Sequence, residues 1–364
     1  MTPDDRRHMA HAVALSRRGL GRVWPNPSVG CVIVKDGVVV GRGFTAPGGR
    51  PHAEPQALAM AGAAARGATA YVTLEPCAHH GKTPPCANAL VAAGVARVVS
   101  ALEDPDPRVS GGGHAILRAA GIAVTTGVME AEARSVQQGF LSRITTGRPL
   151  LTLKLALSVD GRIATADGES RWITGPEARA RVHLMRASHD AVLVGGGTAR
   201  ADDPELTVRG LGIAHQPVRI VASTGLDLPR GGRFEAAMPQ GPVWLPHGPA
   251  APAEARAYWA GRGARLVPCA ETVGGLDPDA MMQALGDAGL TRVFCEGGGA
   301  FAAALVQAGC VDRLEVFGAG LLLGDGGRAG LGALRYGPLA AAPRFELVDS
   351  RSVGRDVWHS HRRV

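Results

Sequence analysis

Between Pro51 and Cys86 the chain reads PHAEPQALAMAGAAARGATAYVTLEPCAHHGKTPPC. His52 and Glu54 stand two residues apart, and two cysteines follow, Cys77 and Cys86, each directly after a proline. One imidazole and two thiolates make three zinc ligands, and three protein ligands leave a fourth position for water, as in catalytic rather than structural zinc sites. Zinc draws the pKa of a bound water toward neutrality. Glu54 can take that water's proton and pass it to a ring nitrogen and then to departing ammonia. His79 and His80 compete with His52 for the imidazole position. Zinc deaminases acting on bases carry H-x-E and then P-C-x-x-C. Here eight residues, AHHGKTPP, separate the cysteines.

These residues need elements to hold them. VGCVIVKDGVVVGRGF is two apolar runs joined by Asp-Gly, a hairpin signal. EPQALAMAGAAARG reads as an alanine-rich helix ending at Gly67. ATAYVTLEP is a strand, CANALVAAG a helix, VARVVSAL a strand, AILRAAG a helix and IAVTTGV a last strand. The alternation predicts an α/β unit with a largely parallel sheet. His52 and Glu54 then open a helix, Cys77 follows a strand end, and Cys86 opens the next helix, where α/β folds place their chemistry. At the N-terminus Thr2 reads as a helix N-cap, with Pro3 at N1 and Asp4 and Asp5 in the first turn.

After SRITTGRP the chain restarts with the apolar strand LLTLKLALSVDGRIA, which places a boundary near residues 145–149. SRWITGPEARARVHLMRA predicts a helix capped by Thr174, with Glu177 completing a capping box. Two glycine-rich turns, VGGGTARADDP and EGGGAFA, each follow a strand. Glycines there let backbone N–H groups approach a phosphate, which suggests a dinucleotide. Neither turn is G-x-G-x-x-G, and no acidic residue is placed for a Rossmann ribose contact. Tight packing explains such glycines equally well. Arg186 and Arg209 can clamp a phosphate bidentately, and Glu296 can accept from sugar hydroxyls.

Bulk properties narrow the field. At 364 residues the chain is long for one core and comfortable for two domains. No run of 18 apolar residues exists, so no membrane span is expected. The N-terminal stretch lacks the apolar segment of a signal peptide, so a cytoplasmic protein is expected. Cys31, Cys269, Cys295 and Cys310 sit among small or apolar neighbours and read as buried thiols. The net charge is +7, but only 4% of residues are aromatic and no basic run exists, which argues against single-stranded nucleic acid. Basic residues are almost all arginine; Lys35, Lys82 and Lys154 are the three lysines.

The first 145 residues or so resemble the deaminase domain of the bifunctional riboflavin-biosynthesis deaminase-reductase family. The likeness rests on PNPSVGCVIVKDG, PHAE, GATAYVTLEPCAHHGKTPPC and GVARVVSALEDPDPRV. The wide gap between the cysteines is a feature of that family. The resemblance implies that Asn26, His79, Lys82 and Asp104 face a phosphoribosyl pyrimidine. Residues 150–325 are similar to the same family's reductase domain, through LKLALSVDGRIA, GESRWITGPEAR, AVLVGGGTARADDPELTVR and VFCEGGGAFAAALVQAGCVDRL.

That resemblance implies a cytidine-deaminase-like three-layer α/β/α domain over 1–146 and a dihydrofolate-reductase-like α/β domain over 147–364. It implies one zinc ion, NADPH, and hydride transfer to C1 of a ring-opened ribose. By position, Ala156, Trp172, Thr198, Asp202 and Gly297, Gly298 and Gly299 would touch NADPH. Lys154, Ser170, Arg186, Leu206, Arg209 and Glu296 would touch the substrate. A homo-oligomer is expected, with neither nucleic acid nor membrane as a partner. The chain departs from the family's usual residues at four places. Thr45 stands for His, Asp106 for Asn, Ser223 for Asp, and Ala319-Gly320-Leu321 for Ala-Pro-Lys.

Overall fold

The computed structural model describes residues 2–78, 84–107 and 109–364. The chain divides into two compact units, Met1–Gly147 and Arg148–Val364. Among the described residues no helix is long and apolar enough to cross a membrane.

The first unit runs α1 (Pro3–Ser16), β1 (Gly30–Lys35), β2 (Val38–Phe44), α2 (Ala53–Ala61), β3 (Thr69–Val72), α3 (Cys86–Ala93), β4 (Arg97–Ser100), α4 (Gly112–Ala119), β5 (Ala123–Thr125) and α5 (Glu130–Thr146). Its sheet has the order β2-β1-β3-β4-β5. The pairings of β1 with β2 and β3 are antiparallel, and those of β4 with β3 and β5 are parallel. The sheet is therefore mixed rather than largely parallel. The Asp36-Gly37 hairpin turns the chain back before the first helical crossover, with both residues at positive φ, as a two-residue hairpin loop requires. Helices α1 and α5 cover one face and α2, α3 and α4 the other, around a continuous core of Ile33, Val72, Leu74, Leu90, Val99 and Leu117.

Two features set α2. A side chain at Gly43 would meet Gln56 Cβ at 2.8 Å and Ala57 N at 2.9 Å, so glycine on β2 and alanine on α2 let the helix lie close to the sheet. Gly62, at φ +54°, then ends the α-helix at Ala61. The α form of the helix expected to run to Gly67 ends there, because glycine leaves the right-handed region, and a 3-10 turn over Gly62–Ala65 completes the run to within two residues of Gly67. The N-cap at Thr2 is as expected, and Asp5 completes the capping box by accepting from Thr2 N. The same carboxylate also accepts from Arg97 at 2.8 and 3.2 Å and from Tyr71 at 3.1 Å, tying α1 to β3 and β4. Sequence reading did not anticipate α5. Its Gln137 donates at 2.6 Å to Ser28 O, bracing the loop that carries Asn26.

The second unit runs β6 (Leu150–Ser158), β7 (Arg162–Ala164), α6 (Pro176–Ala187), β8 (Ala191–Gly195), α7 (Gly196–Asp202), β9 (Val218–Ala222), α8 (Arg233–Ala236), β10 (Val243–His247), α9 (Ala253–Gly261), β11 (Arg265–Pro268), β12 (Glu271–Thr272), β13 (Gly275–Leu276), α10 (Pro278–Asp287), β14 (Arg292–Cys295), α11 (Gly299–Gln307), β15 (Arg313–Ala319), β16 (Arg328–Ala329), β17 (Phe345–Val353) and β18 (Asp356–Arg363). The main sheet has nine strands in the order β11-β10-β9-β8-β14-β6-β15-β18-β17. It is parallel from β11 to β15, and its β15–β18 and β18–β17 pairings are antiparallel. Helix α6 is capped one residue later than expected. Gly175 is the N-cap, without a side-chain cap, and its N–H donates to Asp356 Oδ2 at 2.6 Å. Thr174 is buried, so a carboxylate from β18 replaces the expected hydroxyl.

Candidate active sites

His52 is the N-cap of α2 and Cys86 the first residue of α3. Cys77 lies beyond β3, and its Sγ accepts from Cys86 N at 3.3 Å. The ligand atoms of His52, Cys77 and Cys86 all lie within 4.8 Å of one another. His52 Nδ1 is 3.3 Å from Cys86 Sγ and 3.7 Å from Cys77 Sγ. One nitrogen and two sulfurs converging on one point, from a helix start, a strand end and a second helix start, match the donor chemistry of zinc. Hydrogen bonds from Cys86 and His52 draw the Cys77 thiol down, against the opposing effect of burial, the direction that favours a metal-binding thiolate. Glu54, in the first turn of α2, is 3% exposed, and burial pushes its carboxyl above the ordinary range. A carboxyl so placed holds a proton more readily than one in water.

Asn26 sits on the loop before β1 and donates to Val23 O at 3.4 Å. Gly49 packs directly against its side chain. Thr45 is buried, accepts from Val29 N at 2.9 Å and donates to Pro27 O at 3.0 Å. Its hydroxyl is thus committed to the backbone of the Asn26 loop. Asp104 is buried, and its Oδ1 accepts from Asp106 N at 2.9 Å. His79, His80 and Lys82 lie outside the described residues.

In the second unit one cavity of about 1640 Å³ opens over the ends of the parallel strands. All thirteen reductase-half candidates line it: Lys154, Ala156, Ser170, Trp172, Arg186, Thr198, Asp202, Leu206, Arg209, Glu296 and the turn Gly297 to Gly299. A volume of this size suits a dinucleotide together with a second ligand. Arg186 grips Glu296 through Nε and NH2 at 2.5 and 3.0 Å, and its NH1 donates to Thr207 O at 2.7 Å. The guanidinium holds the Glu296 carboxyl below its usual range against burial. Burial pushes the Lys154 amine down, with Glu296 opposing. Arg209 reaches Glu205 at 2.7 Å and is about half exposed.

The two glycine turns meet each other. A side chain at Gly297 would collide with Gly195 N and Val194 Cα, and one at Gly298 would meet Thr198 Oγ1 at 2.8 Å. Close packing of backbone on backbone thus accounts for Gly297, and the positive φ of Gly298 for the next. Trp172 is 66% exposed, and Arg179 stacks over its ring at 4.4 Å. Ser223 donates to Asp227 at 2.7 Å, and Asp227 pairs with Arg200 at 2.7 Å, so a carboxylate persists near the place where the family carries Asp. Leu321 does not line the cavity and is 38% exposed. Several charged cavity residues were not singled out in the sequence, among them His183, Arg179, Arg200, Asp227 and Arg328. His183 accepts from Arg209 N at 3.2 Å; its position three residues before Arg186, on the same helix face, was the available signal.

A three-ligand zinc cradle beside a buried glutamate, joined in one chain to a dihydrofolate-reductase-like unit with a dinucleotide-sized cavity, defines a bifunctional deaminase–reductase. Residues 2–102 match the cytidine and deoxycytidylate deaminase zinc-binding region, and residues 149–358 match the RibD C-terminal domain. The riboflavin biosynthesis protein RibD of Escherichia coli is 44% identical over 97% of this chain and 98% of its own length. That of Haemophilus influenzae is 40% identical over 96% and 95%. The structure of Acinetobacter baumannii RibD superposes with a TM-score of 0.89 at 40% identity, covering 99% of both chains. A diaminohydroxyphosphoribosylaminopyrimidine deaminase/5-amino-6-(5-phosphoribosylamino)uracil reductase from Thermotoga maritima gives 0.87 at 32% identity over 99% of both. The chain belongs to the RibD family of riboflavin biosynthesis proteins. It is an enzyme with a zinc-dependent deaminase half and an NADPH-dependent reductase half, acting on a small pyrimidine.

Proposed function

We propose that the first unit, 1–146, hydrolytically deaminates 2,5-diamino-6-(5-phosphoribosylamino)pyrimidin-4-one, and that the second, 147–364, reduces the ribosyl chain of the product to ribityl. The observation that carries this reading is the convergence of His52 Nδ1 and the two thiols beside buried Glu54. His52, Cys77 and Cys86 would hold zinc, which when bound supplies an acidified water. Glu54 accepts the proton of that water and delivers it to the ring nitrogen. It then carries a second proton to the departing amine, so that one water is consumed and one ammonia released. Asn26 and Asp104 orient the pyrimidine and its sugar, and His79 and Lys82 take the phosphate.

In the second unit Ala156, Trp172, Thr198, Asp202 and the 297–299 turn would hold NADPH, which when bound would supply a hydride. Arg209, the more exposed of the two arginines, binds the substrate phosphate. Arg186 orients Glu296, whose carboxylate accepts from sugar hydroxyls. Lys154, Ser170 and Leu206 line the reacting end. Opening the ribose to an imine and adding hydride at C1 consumes one proton overall.

The enzyme works in the cytoplasm, a reading supported by six free cysteines. It works as a homo-oligomer, a reading supported by exposed Leu347, Val348 and Val357 on the outer strand pair; equilibrium sedimentation reads this directly. Glu54→Gln tests the chemistry. Deamination is expected to fall by about 10²-fold or more, as for loss of a positioned acid–base group, while one zinc per chain stays bound. Full turnover in the variant would remove Glu54 from the mechanism.

A further inference from the structure

The deaminase reaction uses Cys77, and two residues before it stands a carboxylate that the mechanism leaves unassigned. Glu75 is 3% exposed. Its Oε2 accepts from Asp104 N at 3.2 Å and Gly111 N at 3.0 Å; its Oε1 accepts from Gly113 N at 2.9 Å and His114 N at 3.1 Å. An ionised carboxylate offers about four acceptor sites, and four backbone donors fill them. Two of those donors, Gly113 and His114, belong to the first turn of α4, whose N–H groups have no partner within the helix. The other two bracket the loop that begins at Asp104.

The bracing continues along the chain toward the ligand. A side chain at Gly113 would collide with the Pro76 carbonyl, and one at Gly112 would meet Ala78 Cβ at 3.2 Å. The segment from Glu75 to Ala78 therefore lies flat on the start of α4, with Pro76 restricting its φ. Cys77 is then tied to α3, its carbonyl accepting from Ala87 N at 3.3 Å and its Sγ from Cys86 N at 3.3 Å. One carboxylate thus fixes both the strand end that presents a metal ligand and the loop that presents Asp104.

We propose that Glu75 is a positioning residue of the deaminase reaction, acting through Cys77 on zinc retention and through the Asp104 loop on substrate binding. It rests on the assignment of Cys77 and Asp104 given above. A glutamine of the same size cannot substitute. Its amide nitrogen would face two N–H donors that now meet an acceptor.

The test uses the full chain. Glu75→Gln is loaded with zinc, and release to a chromogenic chelator is followed at 25 °C. Supporting shells of metal sites are worth roughly 10–100-fold in affinity, so release is expected to quicken by about that factor. The KM for deamination is expected to rise as well, because the Asp104 loop loses its anchor. NADPH affinity, measured by fluorescence titration, is expected to stay within about 2-fold and reports that the second unit is intact. Zinc release and deamination KM both within about 2-fold of the parent would overturn the proposal. A merely structural glutamate would lower the melting temperature without moving either.

If Glu75→Gln unfolds the first unit, Gly113→Ala gives the answer. It keeps the carboxylate and presses on the Pro76 carbonyl and on Glu75 Cγ, so faster zinc release supports the proposal and unchanged release overturns it. Failure of the underlying assignment is distinguishable. Cys77→Ser would then bind zinc as tightly as the parent.

Discussion

Glu54 and Arg209 show how much the surroundings of a residue decide its use. Both belong to motifs, yet one is enclosed and the other half exposed. Burial raises the Glu54 carboxyl above its ordinary range, the direction that helps it hold and pass on a proton. Arg209 lines the cavity and is half exposed, so Arg209→Ala is expected to act on binding. Loss of a charged hydrogen bond of about 1.5–3 kcal/mol corresponds to a KM for reduction about 10–100-fold higher, with kcat little changed; steady-state kinetics on already deaminated substrate read both. That His52, Cys77 and Cys86 come together was legible because two proline-preceded cysteines combine with a His-x-Glu at strand ends and helix starts. The commitment of Arg186 to Glu296 and Thr207 was not, since ion pairing across 110 positions leaves no local pattern. Thr45 was legible as a departure, but its bridge between Pro27 and Val29 follows from the fold.

At the scale of elements, the start of α2 carries both His52 and Glu54, and the close seat of that helix on β2 sets where they stand. Gly43→Ala would force α2 away from the sheet. Overpacking of this kind costs about 1–3 kcal/mol, and deamination should fall while reduction by the second unit does not. Thermal unfolding with separate assays of the two reactions distinguishes these. The hairpin, α3, the strands of the first unit and β6, β8, β9, β10, β14 and β15 were readable from apolar runs and turn residues; the antiparallel pair β17 and β18 was not anticipated. Helix α5 was not, because its polar sequence carries only a thin apolar stripe, Ala133, Val136 and Phe140. The cap of α6 was misread because Asp356, 181 positions after Gly175, outcompetes the local Thr174 hydroxyl.

For the whole molecule, two units with separate sheets imply separable responses. A zinc chelator is expected to abolish deamination and leave reduction of pre-deaminated substrate intact, followed as NADPH absorbance. Acid should act on the first unit through Asp5, whose carboxyl the Arg97 guanidinium holds well below its usual range. A depressed native value stabilises the fold above the unfolded-state value of about 3.9, and this stabilisation is lost as pH falls toward the native value. Asp5→Asn should therefore lower the stability of the first unit by about 2 kcal/mol at pH 7 and flatten its acid limb below about pH 4, measured by denaturant titration across pH.

The scarcity of lysine gives one described feature an experimental use. Lys154 lines the reductase cavity with an amine that loses its proton more readily than an ordinary lysine, and an unprotonated amine is what reductive methylation labels. Isotope-enriched formaldehyde would therefore install a dimethylamine resonance inside the cavity, in a chain with only two other lysine side chains to resolve. That signal would report each ligand's arrival by its shift, without a mutation and without catalysis.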